Sequence, residues 1–204
     1  MNYSAIAFTD EVKSLQEKYG SRASYARMQE HRYTDGFTES EVDFIAQQDN
    51  FYMATISESG FPYIQFRGGP KGFLKVLNQD TLGFIDFSGN KQYISAGNIA
   101  THNKVSLFLL NQAARERLKI FAEAEILPID ENPELYKQLD LEGYSFKPER
   151  IIILKVKGYD WNCPQHITPR YTLDEIKEQF EAQHDYINKL RKENAELKTR
   201  LAQK

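Results

Sequence analysis

Between Phe51 and Asn111, runs rich in β-branched and aromatic residues alternate with turn clusters at intervals of about ten residues, the pattern of an antiparallel sheet or barrel. The spacing predicts strands over Phe51–Ile56, Pro62–Arg67, Phe73–Leu77, Thr81–Asp86 and Lys104–Asn111. Turns fall at Ser57–Gly60, Gly68-Gly69-Pro70 and Asn78-Gln79-Asp80. Ser88-Gly89-Asn90 breaks the pattern, and Tyr93–Ala100 reads as a short helix. A strand that runs into a polar, glycine-bearing loop and then a helix start makes an anion site, because the first helical N–H groups are unpaired. Arg67 and Lys91 lie near this loop in sequence and supply positive charge suited to a phosphate.

The flanks extend the same architecture. Arg117–Leu127 is a long strand in which Leu118, Ile120, Ala122, Ala124 and Ile126 alternate with Lys119, Phe121, Glu123 and Glu125. Ile151–Tyr159 is the last strand, and its run Ile151–Leu154 predicts burial on both faces. Pro133–Leu139 reads as a short helix. Upstream, residues 8–20 read as a helix with Thr9 as N-cap, Gly20 at the C-terminal end, and Val12, Leu15 and Tyr19 on one face. Ser21–Tyr33 carries Arg22, Arg27, His31 and Arg32 and reads as a solvated connector, the sharper alternative being an arm over a neighbouring subunit or a phosphate. Thr38-Glu39-Ser40-Glu41 is a capping box opening a helix to about Gln48, with Val42, Ile45 and Ala46 on its apolar side.

A second capping box, Thr172-Leu173-Asp174-Glu175, opens a tail without proline or glycine as far as Lys204. Phe180, Ile187, Asn194 and Leu201 recur at a positions, and Ile176, Gln183, Leu190 and Leu197 at d. Ile at a, Leu at d and a single Asn at a favour a parallel two-stranded coiled coil. Glu193 at g and Lys198 at the following e pair across such a dimer. The alternative is an amphipathic helix packed on its own barrel.

Composition narrows the function classes. Hydrophobic residues make up 41% of the 204, so the chain carries no disorder signature and suffices for one domain with appendages. A net charge of -3 gives no reason to expect nucleic acid or an anionic membrane as partner. No apolar run approaches the roughly 20 residues of a membrane span, and no secretory signal is visible. One cysteine, Cys163, rules out an intrachain disulfide, and the cytoplasm is the expected compartment. His31, His102, His166 and His184 are scattered, so no metal site is expected.

Four segments carry a resemblance to a known family: Pro62–Pro70 (PYIQFRGGP), Gly72–Leu77 (GFLKVL), Asp86–Ser95 (DFSGNKQYIS) and the late loop Asp160–Arg170 (DWNCPQHITPR). Their order and spacing over residues 40–172 resemble the flavin-binding split barrel of the pyridoxamine 5'-phosphate oxidase superfamily, and more narrowly its related flavin-nucleotide-binding proteins. The resemblance implies a mainly β (α+β) fold, a split β-barrel of six strands or a similar number with flanking helices, to which the heptad seam adds a C-terminal coiled-coil helix. Residues 1–37 are then an N-terminal helix and arm, 38–171 the flavin-binding domain, and 172–204 the coiled coil. It further implies a homodimer with FMN bound at the subunit interface.

On that resemblance Arg67 and Gly68 meet the flavin phosphate or ring edge. Ser88, Asn90, Lys91, Gln92, Tyr93 and Ser95 supply hydroxyl, amide and ammonium donors to the phosphate and ribityl chain. Taken alone, the same loop also suits helix capping, with Ser88 or Asn90 satisfying backbone N–H groups. Trp161, Asn162, Gln165 and His166 lie in a loop that reaches the same site or the partner's, Trp161 walling a ring and Gln165 and His166 bonding its edge. Three functions stay open: an FMN-dependent oxidoreductase acting with a small-molecule redox substrate or electron donor, a flavin-binding module without turnover, and a dimeric coiled-coil adaptor. Haem or deazaflavin is an alternative ligand. No catalytic residue is assigned.

Overall fold

The computed structural model describes every residue except Arg32, Gln203 and Lys204; the arm's Arg32 therefore lies outside the described residues. The chain divides into two units: Met1–Asn111 with Glu116–Gln165, and Gln112–Arg115 with His166–Lys204. Residues 1–37 thus fall in the same unit as the barrel.

The first unit is built on a seven-stranded antiparallel sheet. Its strands are β1 (Asn50–Ile56), β2 (Pro62–Gly68), β3 (Lys75–Asn78), β4 (Thr81–Phe87), β5 (Lys104–Asn111), β6 (Glu116–Leu127) and β7 (Pro148–Trp161). They are ordered β2-β1-β5-β6-β7-β4-β3 and have the α+β architecture of a split barrel. In β6 the residues Leu118, Ile120, Ala122 and Ala124 are buried, and their neighbours face outward, as period-two alternation requires. Phe51, Met53, Leu107, Leu109, Phe84, Ile152 and Leu154 complete the core from the adjoining strands. Gly158 on β7 is set by close approach, because a Cβ there would lie 2.7 Å from Tyr3 Cα.

Helices flank this sheet: α1 (Tyr3–Ala7), α2 (Asp10–Lys18), α3 (Arg22–His31), α4 (Glu39–Ala46), α5 (Ile94–Thr101) and α6 (Pro133–Leu139). The capping box at Thr38 is formed in both directions. Thr9 caps α2 through its hydroxyl, 3.3 Å from Val12 N.

Several expectations need correction. The connector after α2 is helical over Arg22–His31, since good helix formers such as Ala23, Arg27, Met28 and Gln29 outweigh the lack of an apolar stripe, and it has no buried residue. On α2, Leu15 and Tyr19 are exposed while Gln16 is the buried residue, held by Arg22 Nη1 at 3.1 Å. The third strand starts at Lys75, and the preceding Phe73 and Leu74 are buried in a turn that follows Gly72 with its φ of 77°. The last strand reaches Trp161, so that residue belongs to the sheet and pairs with Leu118.

The second unit contains α7 (Leu173–Ala202), 30 residues long. Its capping box is formed: Thr172 N donates to Glu175 Oε2 at 2.7 Å and Glu175 N to Thr172 Oγ1 at 3.2 Å. Phe180, Ile187, Leu190, Leu197 and Leu201 along its seam are exposed. Among the described residues, no helix is long and apolar enough to cross a membrane.

Candidate functional site

A cavity of 210 Å³ opens where the end of β2, the end of β4, the loop 88–93 and the start of α5 converge. Strand alternation aims Tyr63, Gln65 and Arg67 of β2 inward, on the face opposite exposed Ile64 and Phe66. Asp86 comes from β4, directly paired with Arg150 of β7. The register shifts immediately afterwards, with Phe87 opposite Pro148, and the extra residue Glu149 is turned to the cavity wall.

Charge is arranged here as a chain. Arg67 Nη1 donates to Asp86 Oδ1 in a short contact. Arg150 Nε lies 3.4 Å from Asp86 Oδ2, and Arg150 Nη2 donates to Glu149 Oε2 at 2.6 Å. Ser88 Oγ donates to Glu149 Oε1 at 3.0 Å. Arg150 also sits 5.0 Å over the Tyr93 ring. Burial pushes the Asp86 carboxyl above its ordinary value, against the pull of Arg67 and Arg150. The hydrogen bond from Arg150 holds Glu149 below its own. With Lys91 on the rim, three cations face two carboxylates.

The loop is conformationally unusual. Lys91 and Tyr93 have φ of 61° and 54°, in the left-handed region. Asn90 Oδ1 accepts from Gln92 N at 3.1 Å. Tyr93 is the N-cap of α5 but makes no side-chain cap bond among the described residues. Neither Ser88 nor Asn90 caps this helix, so its first N–H groups are left open at the cavity. Ser95 in its first turn is only 5% exposed, and its Oγ has no hydrogen-bond partner among the described residues. Arg67 Nε is buried and without a hydrogen-bond partner in the same sense. Buried orphan donors of this kind are costly and call for an acceptor. The arrangement can hold an anion with several oxygens, between guanidinium groups and a helix N-terminus.

The structure brings together Arg67, Asn90, Lys91, Gln92, Tyr93 and Ser95 as cavity-lining residues, with Ser88 one bond behind them. Gly68 is close by in β2, but the glycine pair serves packing: a Cβ on Gly69 would lie 2.6 Å from the Phe73 ring. Trp161 and Asn162 line a different and larger cavity at the far end of β7. Gln165 and His166 are exposed, and His166, with φ of 62°, belongs to the second unit. Sequence reasoning missed Asp86, Glu149, Tyr63 and Gln65 as cavity residues, and Arg150 paired behind them. Only strand register places Arg150 beside Asp86, although charged residues beside the apolar runs of β4 and β7 are a faint local signal.

Among solved structures, a candidate pyridoxamine 5'-phosphate oxidase from Lactobacillus delbrueckii is similar at 20% identity, with 63% of this chain and 97% of that chain covered and a TM-score of 0.49. An FMN-binding protein from Syntrophomonas wolfei is similar at 13% identity, with 72% and 97% covered and a TM-score of 0.47. HutZ, a haem storage protein from Vibrio cholerae, is similar at 16% identity, with 60% and 92% covered and a TM-score of 0.39. No curated protein matches the chain. The family model described as pyridoxamine 5'-phosphate oxidase matches residues 37–158, which is more than half of the sequence and takes in β1 to β7 as far as Gly158. On that match, the chain belongs to the pyridoxamine 5'-phosphate oxidase family.

Proposed function

We propose that this chain binds FMN as a homodimer and serves as a flavin-dependent oxidoreductase with a small-molecule redox substrate or electron donor. The observation that carries the phosphate assignment is the buried Ser95 hydroxyl, without a partner among the described residues, at the N-terminus of α5 beside Arg67 and Lys91. Arg67, Lys91 and Ser95 hold the phosphate, Arg150 backs them through Asp86, and Tyr63 and Gln65 face the adjoining chain of the ligand. When bound, the flavin supplies the hydride or electron transfer. The protein's part is to fix its phosphate and neutralise the charge.

The cavity volume supports a second copy. At 210 Å³ it is smaller than the roughly 300–1,000 Å³ of ordinary ligand clefts, so it takes the phosphate end and leaves the ring for a surface outside it. Tyr52, Ile56, Ile64 and Phe66 form an exposed apolar face on β1 and β2, suited to burial between chains. On this reading 38–171 is the flavin-binding domain, Gln165 and His166 act at the partner's site, and 172–204 is a parallel coiled coil. One unpaired cysteine suits the cytoplasm.

The purified protein is expected to show a flavin spectrum and to release FMN, identified by mass. Failure to bind added FMN would sink the reading. Arg67→Ala is expected to weaken FMN binding by at least tenfold, the scale of one charge-assisted hydrogen bond. Reduction of bound flavin by a nicotinamide cofactor separates an oxidoreductase from a module without turnover. Light scattering is expected to give twice the chain mass. Ile187→Glu with Leu190→Glu is expected to lower the concentration-dependent helical signal, which an uncoiled α7 would not do.

A further inference from the structure

The cavity lined by Trp161 and Asn162 measures 590 Å³, within the range of small-molecule sites, and lies away from the anion cavity. Most of one side comes from residues 1–34, outside the matched family segment. We propose that it is a second ligand site, for a small, neutral, flat aromatic molecule carrying one N–H or O–H donor. This goes beyond the flavin reading and does not depend on it.

The walls are rings and thioethers: Tyr3, Phe8, Tyr25, Met28, Tyr159 and Trp161. They are held in place. Tyr3 stacks on Phe121 at 4.7 Å under Lys119 Nζ at 4.8 Å, and Phe8 meets Tyr25 edge-on at 5.5 Å. Trp161 packs edge-on against Phe44 at 4.8 Å, and its Nε1 donates to Glu41 Oε1 at 2.5 Å. The close approach of Tyr3 to Gly158 brings α1 onto β7 backbone to backbone. Fixed ring walls favour a flat apolar ligand over a flexible one.

Charge and hydrogen bonding set the rest. Lys119 and Asp160 are paired at 3.3 Å. The Met1 amino group donates to Thr34 O at 2.6 Å. The Glu41 carboxylate already accepts from Thr38 N, Thr38 Oγ1, Tyr159 OH and Trp161 Nε1. The lining charges are therefore engaged and sum to zero, so a charged ligand gains nothing to offset its desolvation. The one unmatched buried oxygen among the described lining residues is Asn162 Oδ1. A donor on the ligand, reached by rotation of the amide, relieves it.

Calorimetric titration of the full chain with indole and with benzofuran, which has oxygen in place of the N–H, tests this. Indole is expected to bind about tenfold more tightly. Asn162→Leu is expected to bring the two affinities together while leaving that of benzofuran essentially unchanged. Absence of indole binding at millimolar concentration, or equal affinities in the native protein, would overturn the proposal without recourse to the variant. A preference that survives in Asn162→Leu would overturn the role of Asn162. Displacement of indole by FMN would overturn the claim that the two sites are distinct.

Discussion

Glu41→Ala is expected to lower stability by about 3 kcal/mol and to release Trp161 into a wetter environment. Glu41 sits in the first turn of α4, 5% exposed, and its two oxygens accept four donors. Thr38 contributes its N–H at 2.9 Å and hydroxyl at 2.6 Å, Tyr159 its hydroxyl at 3.2 Å, and Trp161 its indole N–H at 2.5 Å. Alanine strands three of them, because the Tyr159 hydroxyl keeps Gly36 O at 3.0 Å. Each buried donor left without a partner costs about 1–3 kcal/mol, and the Thr38 groups at the helix end recover part of theirs from water. Trp161 is the single tryptophan, so urea unfolding followed by its emission reads stability and local environment together. A variant with native midpoint and emission would remove Glu41 from this role.

The same carboxylate gives a pH dependence. Burial raises the Glu41 pKa, but the hydrogen bonds from Thr38, Trp161 and Tyr159 outweigh it and hold the group below 4.5. The unfolded chain therefore takes up this proton first as pH falls. The stabilisation from Glu41 is fully present above about pH 4.5 and is lost as pH drops through the lower folded value. Glu41→Gln is expected to be less stable at neutral pH and to lose less on acidification.

Asp86→Ala is expected to cost about 3 kcal/mol for a different reason. Its carboxylate is buried between Arg67 and Arg150, and removing it leaves the Arg67 guanidinium partly buried without its counter-ion, while Arg150 keeps Glu149. Here the loss is one that an anion can make good. Added inorganic phosphate or FMN is expected to raise the melting temperature more in Asp86→Ala than in the native protein, since it meets the unbalanced Arg67. A native-like melting temperature would show that Asp86 does not balance the pair. Equal shifts in both proteins would separate the arginines from anion binding.

Local signals in the sequence are legible and distant ones are not. Both capping boxes were legible because four consecutive residues define them, and β6 because alternation survives over its whole length. The apolar run from Phe73 to Leu77 looked like strand throughout, yet its first two residues go to the core from a turn. Helix α3 has no apolar stripe, so periodicity gave no sign of it. At the anion cavity, Arg67 and residues 88–95 were found from the strand–loop–helix pattern. Arg150 was not, because its neighbour Asp86 is 64 residues away in the chain and meets it only through strand register. Trp161 reads as loop in the sequence because the polar end of β7 carries no alternation to mark it as strand.

Strand β7 is the last of the sheet to be synthesised, and it pairs with both β6 and β4. Until residues 148–161 have emerged, β3 and β4 can pair only with each other, and the two-stranded ribbon they form is marginal in water. Tyr3 likewise waits for Gly158, at the opposite end of the unit's sequence. Closure of the barrel is therefore a late and highly non-local event, of the kind that sets folding on the millisecond-to-second scale. During synthesis the chain holds a half-built sheet with an open edge until its final strand arrives, and that interval is when a nascent molecule is most exposed to pairing with the wrong neighbour.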